Sequence, residues 1–145
     1  MAGLIVEGLE GVLAGFDRFA EELRKREGIA ERLVAEAFAA DVQAKITEIG
    51  LYKTGTYRRS IHPEGPFTDI DGTTYCLAGT DNVAAKQHEF GGVIKAKNGP
   101  YLKFKIDGKW VQVPFVTQPA HPHFYPALDE NREKYKQMMA EAMLK

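Results

Sequence analysis

Four histidines, one cysteine and the carboxylate Glu89 are the side chains in this 145-residue sequence whose types and spacing could do chemistry. His121-Pro122-His123 sets two imidazoles two residues apart, and with His88-Glu89 upstream the group invites a metal ion. The intervening proline imposes an extended turn, and neither a second HxH nor an HExxH accompanies the pair, so no metal is expected. Cys76 with any histidine would make a thiol nucleophile and its base. It sits instead in an apolar, β-prone run without a reactive-cysteine signature, which points to a buried structural thiol. A serine-hydrolase elbow, a Walker loop and a dinucleotide fingerprint are all missing. The expectation is therefore no catalytic residue, no cofactor and no enzyme.

A second group could bind rather than react. Arg58, Arg59, Lys95, Lys97, Lys103, Lys105 and Lys109 could meet phosphate, with Tyr101 and Trp110 stacking on bases. Against this stands a solvated strand face with its aromatics in the core. The net charge of −1 hides an asymmetry: residues 1–50 carry −4, and residues 86–109 carry +4. Opposite signs at two regions of a small protein suit head-to-tail contact between copies, or a basic face toward nucleic acid, better than a free nucleic-acid binder of high pI.

With 44% hydrophobic and 27% charged residues, the chain reads as one soluble domain, residues 1–145, large enough to bury a core. The opening Met1-Ala2-Gly3-Leu4-Ile5-Val6 lacks a basic region and is followed by Glu7 and Glu10, so no export signal or membrane span is expected.

The elements that must position these residues follow from periodicity. Leu9, Val12, Leu13, Phe16, Phe19, Ala20 and Leu23 recur at helical spacing, predicting a first helix over residues 1–28. Beyond Gly28, where a kink or break is expected, Ile29, Leu33, Val34, Ala37, Phe38, Val42, Ile46 and Ile49 continue a long helix over 29–50, with Gly50 as its cap. An apolar stripe of this kind is read as core. From Thr54 to Ile61 the period changes to two and predicts a strand; Pro63 to Gly72 reads as loop, and Thr73 to Ala78 as a second strand. Gln87-His88-Glu89-Phe90 closing on Gly91-Gly92 reads as a sharp turn. A short strand over Val93 to Lys97 and a turn at Asn98-Gly99-Pro100 follow. Tyr101 to Ile106 and Lys109 to Val116 form a hairpin about Asp107-Gly108, with Val111, Val113 and Phe115 facing the core and Pro114 marking an edge or bulge. After a proline-rich elbow, Pro126 opens a C-terminal helix over 126–144. The class is α+β: the N-terminal and C-terminal helices pack on one face of a mainly antiparallel sheet over 54–116, with the 101–116 hairpin protruding.

Three motifs stand in order: Thr54-Gly55-Thr56-Tyr57-Arg58-Arg59-Ser60-Ile61, Gln87-His88-Glu89-Phe90-Gly91, and Ala120-His121-Pro122-His123-Phe124-Tyr125-Pro126-Ala127-Leu128. Together they resemble the tail-component family of long-tailed bacteriophages, neck or tail-completion proteins that join head to tail, and the resemblance spans about residues 30 to 140. Tyr57 stands where Leu is usual, Gly92 where Thr is common, and His123 is inserted before Phe124. The resemblance implies a non-enzymatic protein that forms a homo-oligomeric ring around the DNA channel, in the virion neck or tail and in the host cytoplasm during assembly. Its implied partners are further copies of itself, head-closure and tail-terminator or tail-tube proteins, and DNA in the channel through non-specific contact; no membrane is implied. Thr54, Gly55, Glu89, Phe90, Gly91, His121, Pro122, Phe124 and Pro126 are then structural marks, and the arginines and lysines above face a neighbour or the channel. A small nucleic-acid-associated module is the alternative.

Overall fold

A computed structural model describes residues 8–51 and 54–145. The first seven residues of the helix expected over 1–28 lie outside that range. The class is α+β, with a long N-terminal helix, a C-terminal helix and antiparallel strand pairs.

Helix α1 runs Leu9–Glu48 without interruption, through Gly28, where the sequence suggested a break. The first proline of the chain is Pro63, and Ala, Leu, Glu, Arg and Lys dominate the span, so backbone preference favours a helix that continues through Gly28. Ion pairs four residues apart, Glu21 with Lys25 and Arg32 with Glu36, add small increments. The helix ends in a Schellman turn. Leu51 N–H donates to the Ile46 carbonyl and Gly50 N–H to that of Thr47, with Gly50 at φ 75°.

The chain divides into two compact units, and α1 contributes to both. One unit takes α1 up to Ala39, Pro63–Ala78, and the chain from Asn131. Its strands are β1 (His62–Thr68, counting the residue before the unit begins) and β2 (Thr74–Gly79), paired with each other. The expected loop from Pro63 is thus largely a strand. A two-stranded pair is all edge, so the missing N–H groups of Pro63 and Pro66 cost no second neighbour. A Cβ at buried Gly28 would lie 3.4 Å from the Pro66 ring, so the glycine lets hairpin and helix approach, and Arg32 Nη1 donates to the Gly65 carbonyl at 2.8 Å. Phe38 meets Tyr135 edge to face, the ring centroids 5.8 Å apart.

The other unit takes Ala40–His62 and Gly79–Glu130. Thr56–Arg59, expected as strand, forms a single helical turn, α2. So short an alternating run does not impose a strand when no described strand takes up its N–H groups. Ser60 N–H instead donates to the Thr56 carbonyl. Residues Ala85–Phe90 form α3, so the Gln87 to Gly92 stretch is the end of a helix as well as a turn. Strand β3 (Gly92–Lys95) pairs antiparallel with β6 (Phe115–Gln118), and β4 (Leu102–Ile106) with β5 (Lys109–Val113). The single strand expected over 109–116 therefore divides at Pro114, where the chain changes partner because proline has no N–H to donate. The described strands make three separate pairs in place of one sheet. The Asp107-Gly108 turn forms as the sequence indicated, with φ 48° and 78°.

Helix α4 spans Phe124–Leu144 and starts two residues before Pro126. The fully enclosed side chains are few: Val42, Ile46 and His123 are the largest. Leu9, Val12, Leu13, Phe16, Phe19, Leu23, Ile29 and Leu33, read from the sequence as core, are all exposed, as are Phe115, Tyr101 and Trp110. Their periodicity identified an apolar face but could not identify what covers it. No described helix is long and apolar enough to cross a membrane.

Candidate functional site: the Glu89 brace

Glu89 projects from the last turn of α3, is only 5% exposed, and meets the first residues of α4. Oε2 accepts from the backbone N–H groups of His123 at 2.9 Å and Phe124 at 3.1 Å, and Oε1 from Tyr125 N–H at 3.1 Å. The opening N–H groups of a helix have no partner within it, and the aligned peptide dipoles favour a negative group there. One carboxylate on a neighbouring element therefore satisfies three donors of α4.

His123 lies beneath this contact, fully buried. Its Nδ1 is 2.7 Å from the His121 carbonyl and 3.2 Å from Glu89 Oε2, and its Nε2 is 2.6 Å from the Tyr57 hydroxyl. A carbonyl can only accept, so Nδ1 carries the hydrogen and Nε2 accepts from Tyr57 O–H. Burial, and then the charge of Glu89, push the Tyr57 phenol up to about 12. This keeps it a donor. His88 lies against the Tyr57 ring at 4.9 Å between centroids, and its Nδ1 is 3.0 Å from Gln118 Nε2. Burial lowers its pKa, with His123 and His121 adding in the same direction. The His88 carbonyl accepts from His121 N–H at 2.7 Å.

Gly91 makes the geometry possible. It has φ 69°, and a Cβ there would stand 2.7 Å from both Ala120 N and the Gln118 carbonyl oxygen, fixed backbone atoms. Side by side, then, the structure brings together Glu89, Gly91, His121 and Phe124 of the anticipated marks, with His88, Tyr57 and His123. Phe90 is exposed and touches Tyr125, ring centroids 6.0 Å apart, beside a cavity of about 370 Å³ that Lys86 and Phe124 also line. Thr54 bonds only locally, to Thr56 at 3.1 Å. Pro122 is exposed and Pro126 half-buried. The sequence reading gave Tyr57 no partner; a tyrosine amid polar residues gives no sign of a bond to a histidine 66 positions away.

The polar atoms of Glu89 and His123 are engaged within the chain. Both His123 ring nitrogens already have partners within the protein, which removes it as a metal ligand. Cys76 belongs to the other unit and is half-buried rather than enclosed. Burial and then Glu31 push its thiol up, away from the thiolate a nucleophile requires.

The basic residues occupy other places. Arg59 is exposed, and Arg58, also exposed, donates from Nε to the Gln43 carbonyl at 3.2 Å. Lys95 ends β3, Lys97 follows it, Lys103 and Lys105 lie on β4 and Lys109 opens β5, all exposed. Lys105 pairs across the hairpin with Trp110, its Nζ 5.0 Å from the ring centroid. No family model matches the sequence, and no curated protein or solved structure matches the chain.

Proposed function

We propose that this chain is a structural virion protein of a tailed phage or prophage, part of a neck or tail-completion ring that joins head to tail around the DNA channel. The observation that carries the reading is the brace. Three sequence marks, far apart in the chain and shared with the family it resembles, meet through Tyr57, Glu89 and His123. Glu89 and His123, two of the groups suited to chemistry, are spent on fixing the start of a helix, as a building block requires. Two departures from the family's pattern, Tyr57 and the inserted His123, bond to each other at 2.6 Å.

A ring needs two different surfaces that meet. The hairpin lysines offer one; the stretch of α1 from Glu27 to Glu48, with five acids and two bases, offers the other. Electron microscopy of the protein with purified tails or virions tests the reading: a ring at the head-tail junction supports it, and absence from the particle overturns it. Reversing Lys103 and Lys105 to glutamate is expected to abolish joining, and full joining by that variant would remove the lysines from the interface.

A nucleic-acid-associated module is the second reading. It is favoured by Trp110, 67% exposed among lysines and held by Lys105 in a position to stack. Binding to single-stranded DNA that weakens steeply with salt, with no particle association, would support it.

A further inference from the structure

The first half of α1 carries a face that nothing among the described residues covers. Leu9, Val12, Phe16, Phe19 and Leu23 alternate at steps of three and four, the repeat that lays one helix along another, and Leu13 widens the stripe. All six are exposed, Phe16 at 65% and Phe19 at 62%. Gly11 and Gly15 interrupt the same segment with open space around them, each costing about 1 kcal/mol of helix stability relative to alanine. A helix weakened in this way and apolar along one side gains more than most from a partner.

The charges identify the partner. Residues 8–17 contain Glu10 and Asp17 and no base, a charge of −2; residues 18–26 contain four bases against Glu21 and Glu22, a charge of +2. A second copy running in the opposite direction places each half against its complement, whereas a parallel copy places like against like.

We infer that α1 pairs with α1 of a second copy, antiparallel, through the face from Leu9 to Leu23. Phe16 of each copy packs beside Phe19 of the other, and Val12 beside Leu23. Glu10 and Arg24 fall on the same flank of the stripe at 100° per residue, and in antiparallel pairs like flanks meet. Glu10 of each copy therefore lies on the same side of the pair as Arg24 of the other, about one residue out of level. The acids that the ring reading uses lie further along α1, from Glu27, so this contact stands independently of that reading and leaves that surface free.

Sedimentation equilibrium of the full chain tests the inference. Association to a pair is expected, and a monomer at every concentration up to about a millimolar, where even weak specific contacts populate, overturns it. Phe16→Glu is expected to weaken pairing by about thirty-fold or more, the scale of an interface anchor, with the circular dichroism of the monomer retained because Phe16 is exposed. Association unaffected by Phe16→Glu overturns the choice of face. Glu10→Arg or Arg24→Glu alone is expected to weaken pairing by roughly five-fold, and the two together to restore it. Failure of the double variant to recover overturns the antiparallel arrangement. A pair in solution with no ring on particles would retain this inference and remove the neck reading; a ring on particles from a protein that never pairs would do the reverse.

Discussion

Replacing Glu89 with glutamine exchanges one carboxylate oxygen for an NH₂ group at the most connected side chain of the brace. The amide fits the same space but has one accepting oxygen. Its better orientation keeps that oxygen at the Oε2 position, serving His123 and Phe124, and turns the NH₂ toward Tyr125 N–H. One donor then faces another. Losing a charge-assisted bond and leaving a partly buried N–H unpaired costs about 1–3 kcal/mol. Losing the negative charge at the start of a 21-residue helix adds roughly 0.5–1 kcal/mol. Together these give about 2–4 kcal/mol, or a fall in Tm of about 7–13 °C for a chain of this size. Thermal unfolding followed by circular dichroism at 222 nm measures it. A fall of under about 2 °C, half of what 1 kcal/mol produces, would refute the assignment of Glu89 as the cap of α4.

Three further outcomes follow from the same contacts. Gly91→Ala puts a methyl 2.7 Å from two backbone atoms at a positive φ and is expected to destabilise by about 2 kcal/mol or more, read as a shift in urea midpoint. Absorbance titration at 295 nm should show one of the six tyrosines ionising near pH 12, and Tyr57→Phe should remove that late step while costing about 1–2 kcal/mol for the orphaned His123 Nε2. His88 has a folded pKa below its ordinary value of 6.5, so the unfolded chain takes up its proton first. Its contribution is complete above pH 6.5 and is lost as pH falls toward the lowered value, so Tm should drop between pH 7.5 and 5, less steeply in His88→Gln.

Local signals were legible where the chain decides locally. The Asp107-Gly108 hairpin, the strand beginning at Thr74 and both long helices follow from turn chemistry and periodicity within a few residues. Strand β1 was hidden because Pro63, Gly65 and Pro66 all argue against a strand, and only pairing with β2 overrides them. The apolar stripe of α1 was legible as a stripe and not as surface, because periodicity reports which residues share a side and nothing about the opposite partner. Glu89 stood out in the sequence, but its task did not: the donors it serves lie 34 to 36 residues away and are backbone groups, which leave no trace in residue identity.

The start of α4 has the form of an anion-binding site, a set of free N–H groups at a helix end of the kind that elsewhere holds phosphate or sulfate. Here the anion is tethered to the chain. Its effective concentration is set by the intervening loop and strands, is on the order of millimolar or above, and does not fall when the protein is diluted. The segment from α3 to α4 is thereby closed like a ligand complex whose ligand cannot diffuse away, and whatever loosens Glu89 frees the N–H groups that open α4 in the same event.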